Sequence, residues 1–336
     1  MNISLFDLKP TMDDLDIKSN FLNNLKNIKF ENLLNLVIYG IPGTGKTTQI
    51  YAFLASMLDT KVYDLKNIYF EDDKKIIVYK SSIYHIEIDS ISLGSNEKIF
   101  MQGFLKSYIE TKNIGLGINK LILIKNAHLL SKQTQLSLRK TLESSMSTAR
   151  FIFEVSHLSN FAQCLLSRCF LIRIPVPKIQ EVKLCIINYS KKINLKINDS
   201  EIDEIISASS KFDDYINLKK VFGFYRYSMF TKKKFSFLYY EKFDEIINYI
   251  TNKKISFVTL QKIRDIVNEL YINLIPMTEL LFYLFNKIFE FNKTDDFRHK
   301  LIDLTSKCDT LLNNGNKDCL HLEYYIVSII DIINNK

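Results

Sequence analysis

An eight-residue segment, Gly40-Ile41-Pro42-Gly43-Thr44-Gly45-Lys46-Thr47, constrains the fold more than any other feature of the chain. It matches the pattern GxxxxGK[ST], which a chain of average composition and this length contains by chance about once in a hundred times. An apolar run from Leu33 to Tyr39 precedes it and predicts a buried parallel strand. The stretch from Thr47 to Leu58 follows with apolar residues on one helical face. Strand, glycine-rich loop and helix in this order predict an α/β domain with a phosphate-binding loop.

The chemistry of such a loop requires these residue types. Glycines let backbone N–H groups curl around a phosphate at a helix N-terminus, Lys46 reaches the β- and γ-phosphates, and Thr47 offers its hydroxyl to Mg²⁺. ATP and Mg²⁺ are therefore the predicted cofactors. The alternative is a loop without a ligand. The predicted nucleotide-binding residues of the loop are Gly40, Pro42, Gly43, Thr44, Gly45, Lys46, Thr47 and Thr48.

Strand-like and helical stretches alternate through the first half of the chain, which predicts a largely parallel sheet covered on both faces. Pro175 and Pro177 then interrupt the chain, and beyond them the pattern is helical. We predict an α/β domain over residues 1–175, followed by helical domains. The further strands are predicted at Ile83–Ile88, Leu121–Ile124, Phe151–Val155 and Phe170–Ile174, and helices at Lys98–Thr111, Ser131–Ser145, Glu241–Ile250 and around Leu260–Leu270.

A second strand of such a domain usually ends in acidic residues, and here it does not. In an ATPase of this class one carboxylate helps to hold Mg²⁺ and another activates the attacking water. The strand Leu121–Ile124 is followed instead by Lys125-Asn126-Ala127-His128. Lys125 places a cation where a metal ligand belongs, and Asn126 cannot accept a proton. A single histidine in this position is more often a packing residue than a catalytic base. The sequence therefore predicts a site that has lost hydrolysis.

Composition limits the remaining classes of function. The chain has 336 residues, 47% hydrophobic and 24% charged, which is enough for two or three folded domains. Its net charge of +8 permits contact with a polyanion without requiring it. Five scattered cysteines without a CxxC pair argue against structural zinc and for a reducing compartment. Polar residues interrupt the most apolar stretch, Leu270 to Phe291, so we expect no membrane helix there, and the early acidic residues of the first segment do not predict a signal peptide. We expect a soluble, intracellular protein.

Two segments carry a resemblance to a known family. KLILIKNAHLLSKQTQLSLRKTLESSMSTARFIF and LLSRCFLIRIPVP, following the loop IPGTGKT, resemble the small subunits of replication factor C, the AAA+ clamp loader. The chain is most similar to the smallest eukaryotic subunit, whose acidic motif is also degenerate. Leu8-Lys9-Pro10, the segment SIYHIE from Ser82 and the segment HLE from His321 look like that subunit too. The resemblance is clear from about residue 34 to 180 and looser beyond.

This resemblance implies an AAA+ domain over residues 1–175, a helical lid over 176–235 and a helical collar over 236–336. It also implies roles for three residues. Arg168, in Ser167-Arg168-Cys169, matches the arginine finger that reaches the γ-phosphate of ATP on the neighbouring subunit. The alternative is an arginine at a strand edge in a surface ion pair. Lys219 takes the place of the lid arginine that senses nucleotide, and Ser156 that of a polar residue, usually asparagine, after the fourth strand.

The family also implies a hetero-pentamer with other clamp-loader subunits, a sliding clamp and primer-template DNA as partners, and a nuclear or viral replication site as location. Lys106, Arg139 and Lys140 match basic positions that contact duplex phosphates, although each is equally compatible with a solvated helix charge. The run from Lys232 to Lys234 is interpreted as solvated. The apolar cluster of Ile99, Phe100, Met101 and Phe104 is more typical of a core than of clamp contact.

Three functions remain open on sequence grounds. The first is a clamp-loader subunit that binds ATP, hydrolyses little or none, and supplies Arg168 to a neighbour, so that ATPase activity belongs to the assembly. The second is a competent ATPase whose acid comes from elsewhere, with Glu87 and Asp89 as the nearby candidates. The third is an architectural subunit whose phosphate loop is empty.

Overall fold

The computed structural model describes residues 9–18, 32–72, 75–110, 120–145, 148–192, 199–210, 215–231, 238–251, 257–273, 275–291, 294–314 and 317–334. The chain divides into two compact units, Met1–Lys233 and Lys234–Lys336. The separation of a lid from the α/β domain at residue 175 stays a prediction. Leu8 and the run Lys232–Lys234 lie outside the described residues.

The first unit contains a seven-stranded sheet in the order β2-β3-β4-β5-β6-β1-β7. The five strands from β4 to β7 in that order run parallel, and β2 and β3 add an antiparallel edge. The predicted α/β fold with a largely parallel sheet is confirmed. The strands are β1 Leu36–Tyr39, β2 Lys66–Asp72, β3 Lys75–Ser81, β4 His85–Asp89, β5 Lys120–Lys125, β6 Ala149–Val155 and β7 Phe170–Arg173.

In this unit, helices connect β1 to β2 and join the successive parallel strands β4, β5, β6 and β7, and three more of the described helices follow β7. The helix predicted at residues 98–111 is composite, because a π-helical turn at Phe100–Phe104 separates two short α-helices. Ser131 caps the next long helix by accepting a hydrogen bond from the amide of Thr134. The helices are α1 Lys46–Met57, α2 Ser90–Leu93, α3 Glu97–Ile99, α4 Leu105–Glu110, α5 Lys132–Ser144, α6 Gln163–Leu166, α7 Ile179–Lys192, α8 Asp199–Ser210 and α9 Leu218–Thr231.

The central strands are buried on both faces of the sheet, and their successive side chains point alternately into two cores. On β5, Ile122 and Ile124 pack into one core and Leu121 and Leu123 into the other. The second core also receives helix α1, most of which is fully buried. This burial fixes β1, β6 and the start of α1 relative to one another, and the phosphate loop lies between β1 and α1.

The second unit is helical, as predicted. Its core includes Phe243, Ile246, Val267 and Leu284. None of the described helices combines the length and apolar character needed to cross a membrane. The helices are α10 Leu238–Thr251, α11 Phe257–Ile272, α12 Met277–Phe291, α13 Asp295–Asn314 and α14 Asp318–Asn334.

Candidate nucleotide site

The loop between β1 and α1 has the backbone that a phosphate-binding loop requires. Gly43 and Gly45 have φ angles of 82° and 86°, a region that side-chain-bearing residues rarely adopt. A Cβ atom on Gly43 would lie 2.0 Å from Oδ1 of Asn217. A Cβ on Gly40 would lie 2.6 Å from the carbonyl oxygen of Ile174. Glycine is therefore required at Gly43 and Gly45 by the left-handed backbone conformation, and at Gly40 and Gly43 by neighbouring atoms that leave no room for a Cβ.

Lys46 lies beneath this loop and is 5% exposed. Its Nζ donates to the carbonyl oxygens of Gly40 at 2.8 Å and Ile41 at 3.1 Å, and to Ser156 Oγ at 3.3 Å. Burial lowers the pKa of Lys46, and the charge of Glu154 opposes that shift. The structure thus brings together Lys46 and Ser156, which lie 110 residues apart in sequence.

A cleft of about 660 Å³ opens beside the loop, within the size range of small-molecule sites. Its walls are the loop and the first turn of α1 on one side, the segment from Pro10 to Ile17 on another, and helices α7 and α9 on a third. Thr47 and Thr48 line it from α1, and Lys219 lines it from α9 with an exposed side chain. The six predicted loop residues from Gly43 to Thr48 therefore share one cleft with Lys219, whereas Gly40, Pro42 and Ser156 are not among the described residues that line it.

Hydrogen bonds join the walls of the cleft to one another. The amide of Leu218, at the start of α9, donates to the carbonyl of Gly43 at 2.9 Å. Asn188 Nδ2 on α7 donates to Asp16 Oδ1 at 2.7 Å, and Tyr63 OH donates to the carbonyl of Pro10 at 2.7 Å. Helix α9 is thereby attached to the loop, and residues 10–17 are attached to α7 and to Tyr63.

The end of β5 carries charge that is already paired. Lys125 Nζ lies 2.8 Å from Glu87 Oε1 on β4, and the two side chains are 17% and 3% exposed. Asn126 has a φ of 52° and donates from Nδ2 to Asp89 Oδ1 at 3.0 Å. Asp89 also caps α2 by accepting from the amide of Ile91. Lys125 lines the cleft, whereas Glu87 and Asp89 are not among the described residues that do so.

His128 has structural contacts. Its Nδ1 accepts a hydrogen bond from the amide of Ser156 at 3.3 Å, and its ring meets that of His157 edge-on at 5.6 Å. Burial lowers the pKa of His128, and the charges of His157 and Lys46 act in the same direction. These contacts suit a packing residue that positions Ser156.

One carboxylate at the site was missed by sequence reasoning. Glu154 on β6 lines the cleft, and its Oε1 accepts a hydrogen bond from Thr47 Oγ1 at 2.9 Å. It is 8% exposed, and its Oε2 has no hydrogen-bond partner among the described residues. Burial raises the pKa of Glu154, and the Thr47 hydrogen bond and two lysine charges oppose the rise. The signal in the sequence was a single acid within the apolar strand FIFEV.

Arg168 lies in the turn between α6 and β7, and within this chain it forms an ion pair. Its Nε donates to Glu143 Oε1 at 2.7 Å, and its Nη1 donates to the carbonyl of Cys164 at 2.8 Å. The hydrogen bond from Arg168 is the largest cause of a lowered pKa at Glu143. Such contacts are those of the surface ion pair considered above, and the role toward a neighbouring subunit stays a prediction.

The predicted DNA-contacting residues are all exposed. Lys106 lies on α4, and Arg139 and Lys140 lie on α5. The apolar cluster before them is largely core, since Phe100 and Met101 are 0% and 2% exposed. The interpretation of that cluster as core is therefore correct for these two residues, which cannot contact a clamp without unpacking.

Known proteins that are similar to this chain include replication factor C subunits. Residues 243–336 match the family described as the C-terminal domain of replication factor C subunit 3. The chain is 26% identical to replication factor C subunit 5 of Saccharomyces cerevisiae over 93% of both chains. It is 28% identical to a protein named as a replication factor C small subunit in Acanthamoeba polyphaga mimivirus, over 93% of this chain and 87% of that one.

Among solved structures, the Thermotoga maritima RuvB Holliday junction branch migration motor is similar at 14% identity and a TM-score of 0.46. That similarity covers 78% of this chain and 73% of the RuvB chain. The resemblance inferred from the sequence motifs is confirmed by the family match and the two relatives.

Proposed function

We propose that this chain, which is related to replication factor C small subunits over most of its length, is a clamp-loader subunit that holds ATP without hydrolysing it. One observation carries the proposal. An intact phosphate loop, with its lysine and both left-handed glycines in place, faces a strand end that carries Lys125 and Asn126 instead of acids.

Binding of ATP with Mg²⁺ is supported by the contents of the cleft. The loop N–H groups, Lys46 and Lys219 offer positive or donor groups to a triphosphate, and Thr47 offers a hydroxyl to the metal ion. Ser156 contacts the ammonium group of Lys46, and we propose that it acts at the site through that lysine. Lys219 retains a charge but lacks the planar guanidinium fork of the family's arginine. We therefore expect Lys219 to stabilise the triphosphate less than an arginine does.

The loss of hydrolysis is supported by the contacts of the two candidate acids, Glu87 and Asp89, which already have partners within the chain. An attacking water needs an acceptor for its proton, and the amide of Asn126 is not one. Of the two acids that sequence reasoning offered, Glu87 is held by Lys125 and Asp89 by Asn126 and a helix cap. ATPase activity is accordingly assigned to the assembled complex rather than to this chain alone.

The role toward other molecules is proposed from the family. In a ring of five subunits, Arg168 would leave Glu143 and reach the γ-phosphate of ATP on the neighbouring subunit. Lys106, Arg139 and Lys140 would follow the phosphates of primer-template DNA while the ring loads a sliding clamp. The location follows from that task and is the nucleus or a viral replication site.

A binding measurement on the isolated chain tests the proposal. Calorimetric titration with ATP and Mg²⁺ should show binding to the wild type, and Lys46→Ala should weaken it at least tenfold, since a charge-assisted contact is worth about 1.5–3 kcal/mol. Lys66→Ala removes an exposed lysine on β2 and is the matched control. If the wild type binds no ATP, the chain is architectural and the proposal fails.

A further inference from the structure

We propose that Glu154 supplies the carboxylate that holds the nucleotide's Mg²⁺ in this cleft, together with the hydroxyl of Thr47. Of the two acids that β5 lacks, the one that helps to hold Mg²⁺ is thus supplied from the next strand of the sheet, β6. This inference rests on the proposed function, because it assigns a residue to the same nucleotide site.

The first support is the position of Glu154. In nucleotide sites built on a phosphate loop, Mg²⁺ is held by the loop hydroxyl and a strand carboxylate, which must therefore be neighbours. Here the neighbour of the Thr47 hydroxyl is Glu154, at 2.9 Å. Strand β6 lies between β5 and β1, and Glu154 is in register with Ile38, two residues before the loop begins. The fold therefore delivers this carboxylate to the foot of the loop.

The second support is an unpaired oxygen. Glu154 is 8% exposed and lines the cleft, yet its Oε2 has no hydrogen-bond partner among the described residues. A buried carboxylate oxygen without a partner is costly, and a cation is the strongest partner that it can acquire. Mg²⁺ commonly takes one or two protein oxygens and completes its shell with phosphates and water. Thr47 and Glu154 provide such a pair.

The third support is the direction in which the nearby lysine is held. Lys125 stands where the usual acid would be, but its ammonium contacts Glu87 at 2.8 Å. Glu87 belongs to β4, which lies on the opposite side of β5 from β6. The cation is therefore drawn toward β4, and the carboxylate of Glu154 remains available to a metal ion on the side of Thr47.

The affinity for ATP with and without Mg²⁺ tests this assignment in the isolated chain. Equilibrium titrations are run in Mg²⁺ and in EDTA for the wild type, for Glu154→Gln, which keeps the shape and an acceptor for Thr47, and for Glu201→Gln. The last is a matched control, since Glu201 is exposed on α8.

We expect Mg²⁺ to strengthen ATP binding to the wild type and to Glu201→Gln by at least about tenfold. Glu154→Gln should lose most of that gain, because mutations around metal sites cost about 10–100-fold in metal affinity. In EDTA, Glu154→Gln should bind ATP as tightly as the wild type or more tightly, because the substitution removes a negative charge beside the phosphates. A merely structural role of Glu154 would shift both titrations equally.

Thr47→Val gives a second variant that removes the hydroxyl and keeps the shape, and it should lose the same Mg²⁺-dependent gain. The Mn²⁺ electron paramagnetic resonance spectrum of the ATP complex is an independent readout, which should change in Glu154→Gln. A full Mg²⁺ gain and an unchanged Mn²⁺ spectrum in Glu154→Gln would overturn the assignment while ATP binding itself persisted. Absence of ATP binding to the wild type in either buffer would instead refute the proposed function.

Discussion

Replacing Lys125 by methionine removes the cation that Glu87 contacts inside the wall of the cleft. Glu87 is 3% exposed, and its other cation, Lys80, is half exposed and lies 3.9 Å away. Removing one partner of a buried ion pair lowers the free energy of unfolding by about 3–5 kcal/mol. Because Lys80 remains near Glu87, we expect Lys125→Met to lower it by about 3 kcal/mol, near the lower end of that range.

Replacing Glu87 instead of Lys125 should lower the free energy of unfolding by a smaller amount. Glu87→Gln leaves Lys125, which is 17% exposed, lines the cleft and lies 5.2 Å from the ring centroid of Tyr51. A long ammonium side chain at such a position can turn toward water, so we expect a loss of about 1–2 kcal/mol. The double variant, Lys125→Met with Glu87→Gln, lacks both charges, so neither of them is left buried without its partner. It should be about 2 kcal/mol less destabilised than the sum of the two single variants.

Hydrogen exchange of peptides from β4 and β5, measured against urea concentration, reports these free energies where the pair lies. The expected result is a coupling energy of about 2 kcal/mol between the two positions. If the two single effects add to within about 0.5 kcal/mol, the pair does not interact, and the explanation for the misplaced lysine at the end of β5 is wrong.

Three further predictions concern other residues. In the assembled complex, Arg168→Ala should lower ATP turnover at the neighbouring site by about a thousandfold, while gel filtration still shows the ring. Glu143→Gln keeps the guanidinium and should leave that turnover unchanged. Burial lowers the pKa of His85 to about 4, so its neutral ring contributes stability that is complete above pH 6.5 and is lost as the pH falls toward 4. The loss should reach roughly 3 kcal/mol, and urea unfolding of His85→Gln should lack it; equal pH profiles would refute the assignment. In the assembly, Lys106→Ala and Lys140→Ala should each lower the salt slope of duplex DNA binding by about 1, and an unchanged slope would remove that residue from the interface.

Apolar runs predicted the parallel part of the sheet well, because strands buried on both faces have few polar residues. Phe151–Val155 lies within β6, and Leu121–Ile124 lies within β5. Strands β2 and β3 were missed, since they form the edge of the sheet and mix lysine and acidic residues with apolar ones. Their pairing depends on contacts between strands rather than on a local pattern.

The candidate site was predicted to the extent that its residues belong to a contiguous motif. The loop glycines and Lys46 follow from spacing alone, whereas Glu154 depends on the order of strands β5, β6 and β1, which no local pattern encodes. The ion pair of Arg168 likewise depends on α5 passing beside the turn that carries it. Sequence reasoning searched for the missing acid near β5, and the fold places one on β6.

Mixing the isolated chain, in excess, with radiolabelled ATP and Mg²⁺ and following the release of phosphate tests most directly whether the chain holds ATP without cleaving it. We predict that the bound ATP remains intact over a period in which the complete assembly turns over many times. Rapid release of phosphate by the isolated wild type, abolished in Lys46→Ala, would contradict the claim that this chain holds a triphosphate without the groups needed to cleave it.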